Sequence, residues 1–95
     1  MNTEFKTFDP STYLDSPEAI ASFLADAMET GDTSYISKAI GVAAKAKGMT
    51  SLAKATGISR EHLYKAFSEN GNPTLKTTLA VMNSLGVQLT ATTHQ

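Results

Sequence analysis

The sequence contains no cysteine, which removes disulfides, thiolate zinc sites and cysteine nucleophiles together. Its only imidazoles are His62 and His94, and neither stands at metal-ligand spacing from a second ligand. A glycine-rich phosphate loop is missing as well, and no nucleophile and base can be paired, so enzymatic chemistry has no inventory to draw on. Asp26 and Glu29 fall at i, i+3, but two acids without a pocket signal do not make a catalytic site. No stretch is long and apolar enough to span a bilayer. The opening MNTEFKTFDP carries acids and has no apolar run behind a basic start. It does not read as a secretory signal, and the cytosol is the expected compartment. Neither a membrane, a cofactor, a metal nor a small-molecule substrate is expected.

What is present is a charge pattern. The formal net charge is only -1 over 95 residues, yet it is not evenly spread. Up to residue 44, Lys6 and Lys38 stand against Glu4, Asp9, Asp15, Glu18, Asp26, Glu29 and Asp32. From there to residue 76 the balance reverses, with Lys45, Lys47, Lys54, Arg60, Lys65 and Lys76 against Glu61 and Glu69. Such an asymmetry suggests one basic surface suited to a polyanion and one acidic surface for another partner. Two solvated helical faces would give the same composition. A chain of this length suits one domain with a modest core, and 41% hydrophobic residues in periodic positions exclude disorder for most of it.

Glycines punctuate the apolar periodicity. Ser16 reads as the N-cap of a first helix, with Pro17 at its first position and Glu18 favourable to the helix dipole. Its stripe is Ile20, Phe23, Leu24, Ala27 and Met28, the spacing of a helix with one buried face. A second helix is expected from about Thr33 to Lys47, with Ile36, Ala39, Ile40 and Ala43 inward. Gly41 and the alanines near it would admit a close neighbour. A third, short helix spans roughly Met49 to Thr56. Gly57 breaks it, and Ser59 caps a fourth from Arg60 to about Ser68, with Leu63, Ala66 and Phe67 inward. Pro73-Thr74 starts a fifth, in which Leu75, Thr78, Leu79, Met82 and Leu85 share one face before Gly86. The tail Val87 to Thr92 alternates apolar and polar residues, which reads as a short half-buried strand. No second strand is offered by the chain, so its expected partner is the same strand of another copy.

The segment Leu52-Ala53-Lys54-Ala55-Thr56-Gly57-Ile58-Ser59-Arg60-Glu61-His62-Leu63 has the spacing that a helix-turn-helix requires. Two helices crossing steeply need a positive φ in the turn, which Gly57 supplies, and a small residue where they meet, which is Ala53. Leu52, Ile58 and Leu63 anchor the pair. Arg60, Glu61, His62 and Lys65 then face outward. They are side chains able to hydrogen-bond base edges, Arg and Lys at guanine and Glu at cytosine N4. An ordinary solvated face is the competing reading, and for His62 the two are evenly matched. Tyr64 reads as a partly buried packing residue and Phe67 as core. Lys45, Lys47, Lys54 and Lys76 either touch phosphate or only supply field.

Residues 46–87, with the run GMTSLAKATGISREHLYKAFSENGNPTLKTTLAVMNSLGV, resemble the Cro/repressor-like (Xre) helix-turn-helix domain. Together with FDPSTYLDSPEAIASFLADAMETGD they are similar to the HigA-like addiction-module antidote proteins, whose genes accompany a RelE/ParE-type toxin. The resemblance implies an all-α, five-helix, lambda-repressor-like helix-turn-helix domain with an N-terminal helical extension and a short C-terminal strand. The expected divisions are an acidic extension over 1–32, the DNA-binding domain over 33–86 and the strand and tail over 87–95. It implies an antitoxin that binds its toxin and represses its own operon on double-stranded operator DNA as a homodimer. By that resemblance Arg60, Glu61, Lys65 and His62 read bases. Thr50 and Ser51, then Asn72 and Thr74, hold phosphates at two helix starts, where free N–H groups suit an anion; of the lysines, Lys54 and Lys76 are the expected further phosphate contacts. Glu18, Asp26 and Glu29 are the residues expected to meet the toxin, and Leu85, Val87 and Leu89 the second copy. The one departure is a fourth helix that runs on through Tyr64-Lys65-Ala66-Phe67-Ser68-Glu69 towards Gly71. A regulator without a toxin, or an interaction module that no longer binds DNA, are the alternatives on the same residues.

Overall fold

The computed structural model describes residues 12–93, and over them the chain forms five helices: α1 (Pro17–Glu29), α2 (Thr33–Lys47), α3 (Met49–Thr56), α4 (Arg60–Ala66) and α5 (Leu75–Ser84). Side chains cap four of the starts. The amide of Ala19 donates to Ser16 Oγ at 3.1 Å, with Pro17 following at the first helical position. Asp32 Oδ1 accepts from the amides of Ser34 and Tyr35, Ser59 Oγ from His62 and Thr74 Oγ1 from Thr77. Each cap satisfies an amide that the first turn leaves without a partner. At α3 the preceding residue is Gly48, which has no side chain to do so.

One core holds the helices together. α1 contributes Ile20, Leu24 and Ala27, α2 Ala39, Ile40, Ala43 and Ala44, α3 Met49 and Leu52, α4 Leu63 and Ala66, and α5 Val81 and Met82, with Leu14, Phe67 and Leu85 between them. α1 packs on α2, and α3 meets α2, α4 and α5. The small residues of α2 serve the close approach that their composition suggests. A Cβ on Gly41 would lie 2.6 Å from the carbonyl oxygen of Phe67, so α2 runs directly against the end of α4. The buried Ser37 hydroxyl donates to the Ala66 carbonyl at 3.3 Å in the same seam. α4 ends at Ala66 rather than at the expected Ser68, because Phe67 leaves helical geometry (φ -107°, ψ 26°) as its ring enters the core.

α5 starts at Leu75 after the Thr74 cap, and its expected apolar stripe is split. Val81, Met82 and Leu85 are buried, whereas Leu75 is 67% and Leu79 43% exposed. The expected C-terminal strand is not formed, since residues 87–93 carry no strand. The Gly86 amide donates to Asn83 O and the Val87 amide to Met82 O at 3.0 Å, a Schellman closure of α5. That closure uses the Val87 N–H, and among the described residues no second strand exists to pair with the tail beyond it. Leu85, expected at a partner surface, is only 1% exposed in the core of its own chain. Residues 1–11 of the expected extension, and His94, lie outside the described residues.

Candidate nucleic-acid interface

The turn between α3 and α4 is built from three local devices. Gly57 takes φ 77°, ψ 10°, the left-handed conformation that favours glycine, and closes α3. Thr56 Oγ1 donates to the Leu52 carbonyl at 2.7 Å and accepts from the Ile58 amide at 3.1 Å, so one hydroxyl clips the end of one helix to the approach of the next. Helix-turn-helix spacing alone does not reveal this clip. Its signal is a threonine beside the glycine, competing for backbone groups as such residues do. Ser59 then caps α4. Leu52 and Leu63 are buried, and Ala53 and Ile58 pack partly buried against the same core. The pair is therefore fixed from below while the outer side of α4 stays free.

Arg60, Glu61, His62 and Lys65 are all exposed on α4. His62 lies between two open grooves. One brings it together with Lys65, Asn72 and Thr74 beside the 68–74 connection. The other joins it to Ser59, Lys76 and Thr77 across the turn. Residues from α4, the following connection and the start of α5 thus converge on one surface. Thr50 and Ser51 are exposed on the first turn of α3, which no side chain caps, and Lys54 is exposed further along the same helix. Arg60 turns towards Tyr64, its Cζ 5.9 Å from the ring centroid, and Lys45 Nζ of α2 lies 5.8 Å from the same ring. Tyr64 is 42% exposed rather than packed away. The signal for its contact with Arg60 is the i, i+4 spacing.

Glu18, Asp26 and Glu29 are exposed on α1. At about 100° per residue they fall within roughly 80° of one another around the helix axis, with the exposed Ser22 between them. Another surface lacks charge altogether. Val87 is half-buried and Leu89 40% exposed; they line an open groove with Leu79, Met82, Asn83, Gly86 and Gln88 that contains no charged side chain. Among the described residues no three His, Asp or Glu side chains cluster as a metal site would need. None of the described helices is long and apolar enough to cross a membrane.

Fold and surface together define a small all-helical domain with cations displayed on α3, α4 and α5 and an acidic face on α1. The chain belongs to the family described as probable addiction module antidote proteins, whose model matches residues 4–93. It is 40% identical over 88 residues to an uncharacterised protein of Haemophilus influenzae (strain Rd), covering 93% of this chain and 91% of that relative. No solved structure matches it. Membership of an antidote family implies a toxin as partner and a role in a toxin-antitoxin pair.

Proposed function

We propose that this protein is the antitoxin of a type II module, which binds a basic RelE/ParE-like toxin in the cytoplasm and represses its own operon as a homodimer on operator DNA. The observation that carries the DNA half is the α3–turn–α4 arrangement: a clipped, glycine-closed turn, a Ser59-capped second helix, and Arg60, Glu61, His62 and Lys65 exposed on it. This is a helix-turn-helix of the lambda-repressor-like kind, with α4 as the helix that enters the major groove. Arg60 and Lys65 read guanine, Glu61 accepts from cytosine N4, and His62 reaches the edge of the same site. Thr50, Ser51, Asn72 and Thr74 hold phosphates with Lys54 and Lys76.

The toxin half rests on the family and on the acidic face of α1. A toxin that acts on RNA must itself be basic to hold a phosphate backbone, and Glu18, Asp26 and Glu29 give it a complementary surface. The second copy docks on Leu75, Leu79 and Leu89, with Val87 at the edge. A two-fold axis sets the same patch of each copy against the other, so like charges there would face one another, and the charge-free groove between α5 and the tail suits self-pairing.

The experiment is a gel shift on the chain's own promoter. Arg60→Ala or Glu61→Ala should each lose roughly 1–3 kcal/mol and relax selectivity at one base pair. Lys54→Ala or Lys76→Ala should weaken all sequences alike and flatten the salt dependence. An Arg60→Ala protein as tight and as selective as its parent removes α4 from the interface.

A further inference from the structure

Tyr64 stands at the junction of two cations. Its ring is carried by α4 between the buried Leu63 and Ala66, so the backbone beneath it is held by the core. The Arg60 guanidinium and the Lys45 ammonium both lie within the distance at which a ring face attracts a cation. Arg60 is the first residue of α4 and is exposed, so no helical turn precedes it to limit its side chain. An unrestrained arginine loses much rotamer freedom when it binds, and a tyrosine, with two side-chain torsions, is a stiff platform against which to order it. The attraction is to the charge of the guanidinium and takes up none of its N–H donors, which stay available for the paired acceptors of a guanine edge.

We infer that Tyr64 is a positioning residue for base readout: it orders Arg60 for one base pair before DNA arrives, while Lys45, held on the same ring, is a flanking phosphate contact. The inference rests on the DNA-reading role of Arg60 proposed above. It assigns a specificity role to a residue that need not touch a base, and it extends the interface onto the last turn of α2.

The test is a set of binding titrations on the own-promoter duplex and its single base-pair substitutions, using the full chain. Tyr64→Phe keeps the ring and should stay within about twofold of the parent. Tyr64→Leu should weaken binding roughly two- to fivefold, the effect of losing an exposed cation–π contact, and should relax selectivity at the base pair that Arg60→Ala relaxes and at no other. In an Arg60→Ala background, Tyr64→Leu should cost nothing more. Lys45→Ala should weaken every duplex alike. In the free protein, the Arg60 side-chain proton resonances should carry a ring-current shift that Tyr64→Phe preserves and Tyr64→Leu abolishes, with the unfolding midpoint near that of the parent. Equal weakening of all duplexes by Tyr64→Leu, or the same loss with Arg60 already removed, overturns the inference and leaves the helix-turn-helix reading standing. An Arg60→Ala protein with unchanged selectivity overturns both.

Discussion

At Gly41 the missing side chain is a packing requirement. Its notional Cβ meets Phe67 O at 2.6 Å and Phe67 Cβ at 3.3 Å, and Phe67 is itself 4% exposed. Two effects of opposite sign compete in Gly41→Ala. Helix propensity would stabilise by about 1 kcal/mol, whereas overpacking against backbone costs about 1–3 kcal/mol. The contact is with a carbonyl that cannot swing aside, so a lower thermal midpoint is expected; a higher one would mean that α2 and the end of α4 separate freely. Residues of this scale are legible in sequence wherever their reason is local. Ser16 and Ser59 cap because a hydroxyl one residue before a helix finds a free amide, and Gly57 takes positive φ because the turn demands it. The place of Tyr64 is not legible in this way. Whether a half-apolar ring packs inward or lies under two cations depends on where Lys45 of α2 comes to rest, and that is a tertiary fact.

Among the elements, the limits of α2 and α3 follow from sequence because Asp32, Gly48 and Gly57 fall at their ends. α5 shows why periodicity stops short. The stripe Leu75, Leu79, Met82, Leu85 is helical in spacing, but spacing does not say what a stripe faces, and its first half points away from the core. The alternation of Val87 to Thr92 has the strand period, yet a strand needs a partner and the Schellman closure has already used the first amide. These elements yield two predictions. Leu79→Glu puts a carboxylate into each half of the proposed apolar interface, where it would be buried without a partner, while leaving the core intact. It should shift the sedimentation coefficient from dimer towards monomer and weaken operator binding by tenfold or more, about 1.4 kcal/mol; an unchanged dimer would move the interface off α5. Reversing Glu18, Asp26 and Glu29 to lysine on α1 should weaken toxin capture by at least tenfold, since rim charges govern encounter and like charges repel. DNA binding should not fall. Charge reversal is preferable to deleting the helix, because Ile20, Leu24 and Ala27 are buried in the common core. Capture unaffected by the triple reversal would place the toxin elsewhere.

For the whole molecule, the net charge of -1 hides two surfaces. In the proposed function the acidic helix α1 holds the toxin, while α4 and the helix starts around it hold DNA. A single α4 spans only a few base pairs, so selection of one operator among genomic competitors requires two copies on half-sites about 34–36 Å apart. The most direct measurement is the affinity of the full chain for its own promoter duplex and for a scrambled duplex of equal length, titrated from low to physiological salt. The expected result is a preference of about 10³ or more for the promoter. With Lys54 and Lys76 of both copies neutralising phosphates, the slope of log affinity against log salt should be about -3.6 or steeper. Equal affinity for the two duplexes, or binding indifferent to salt, would contradict it.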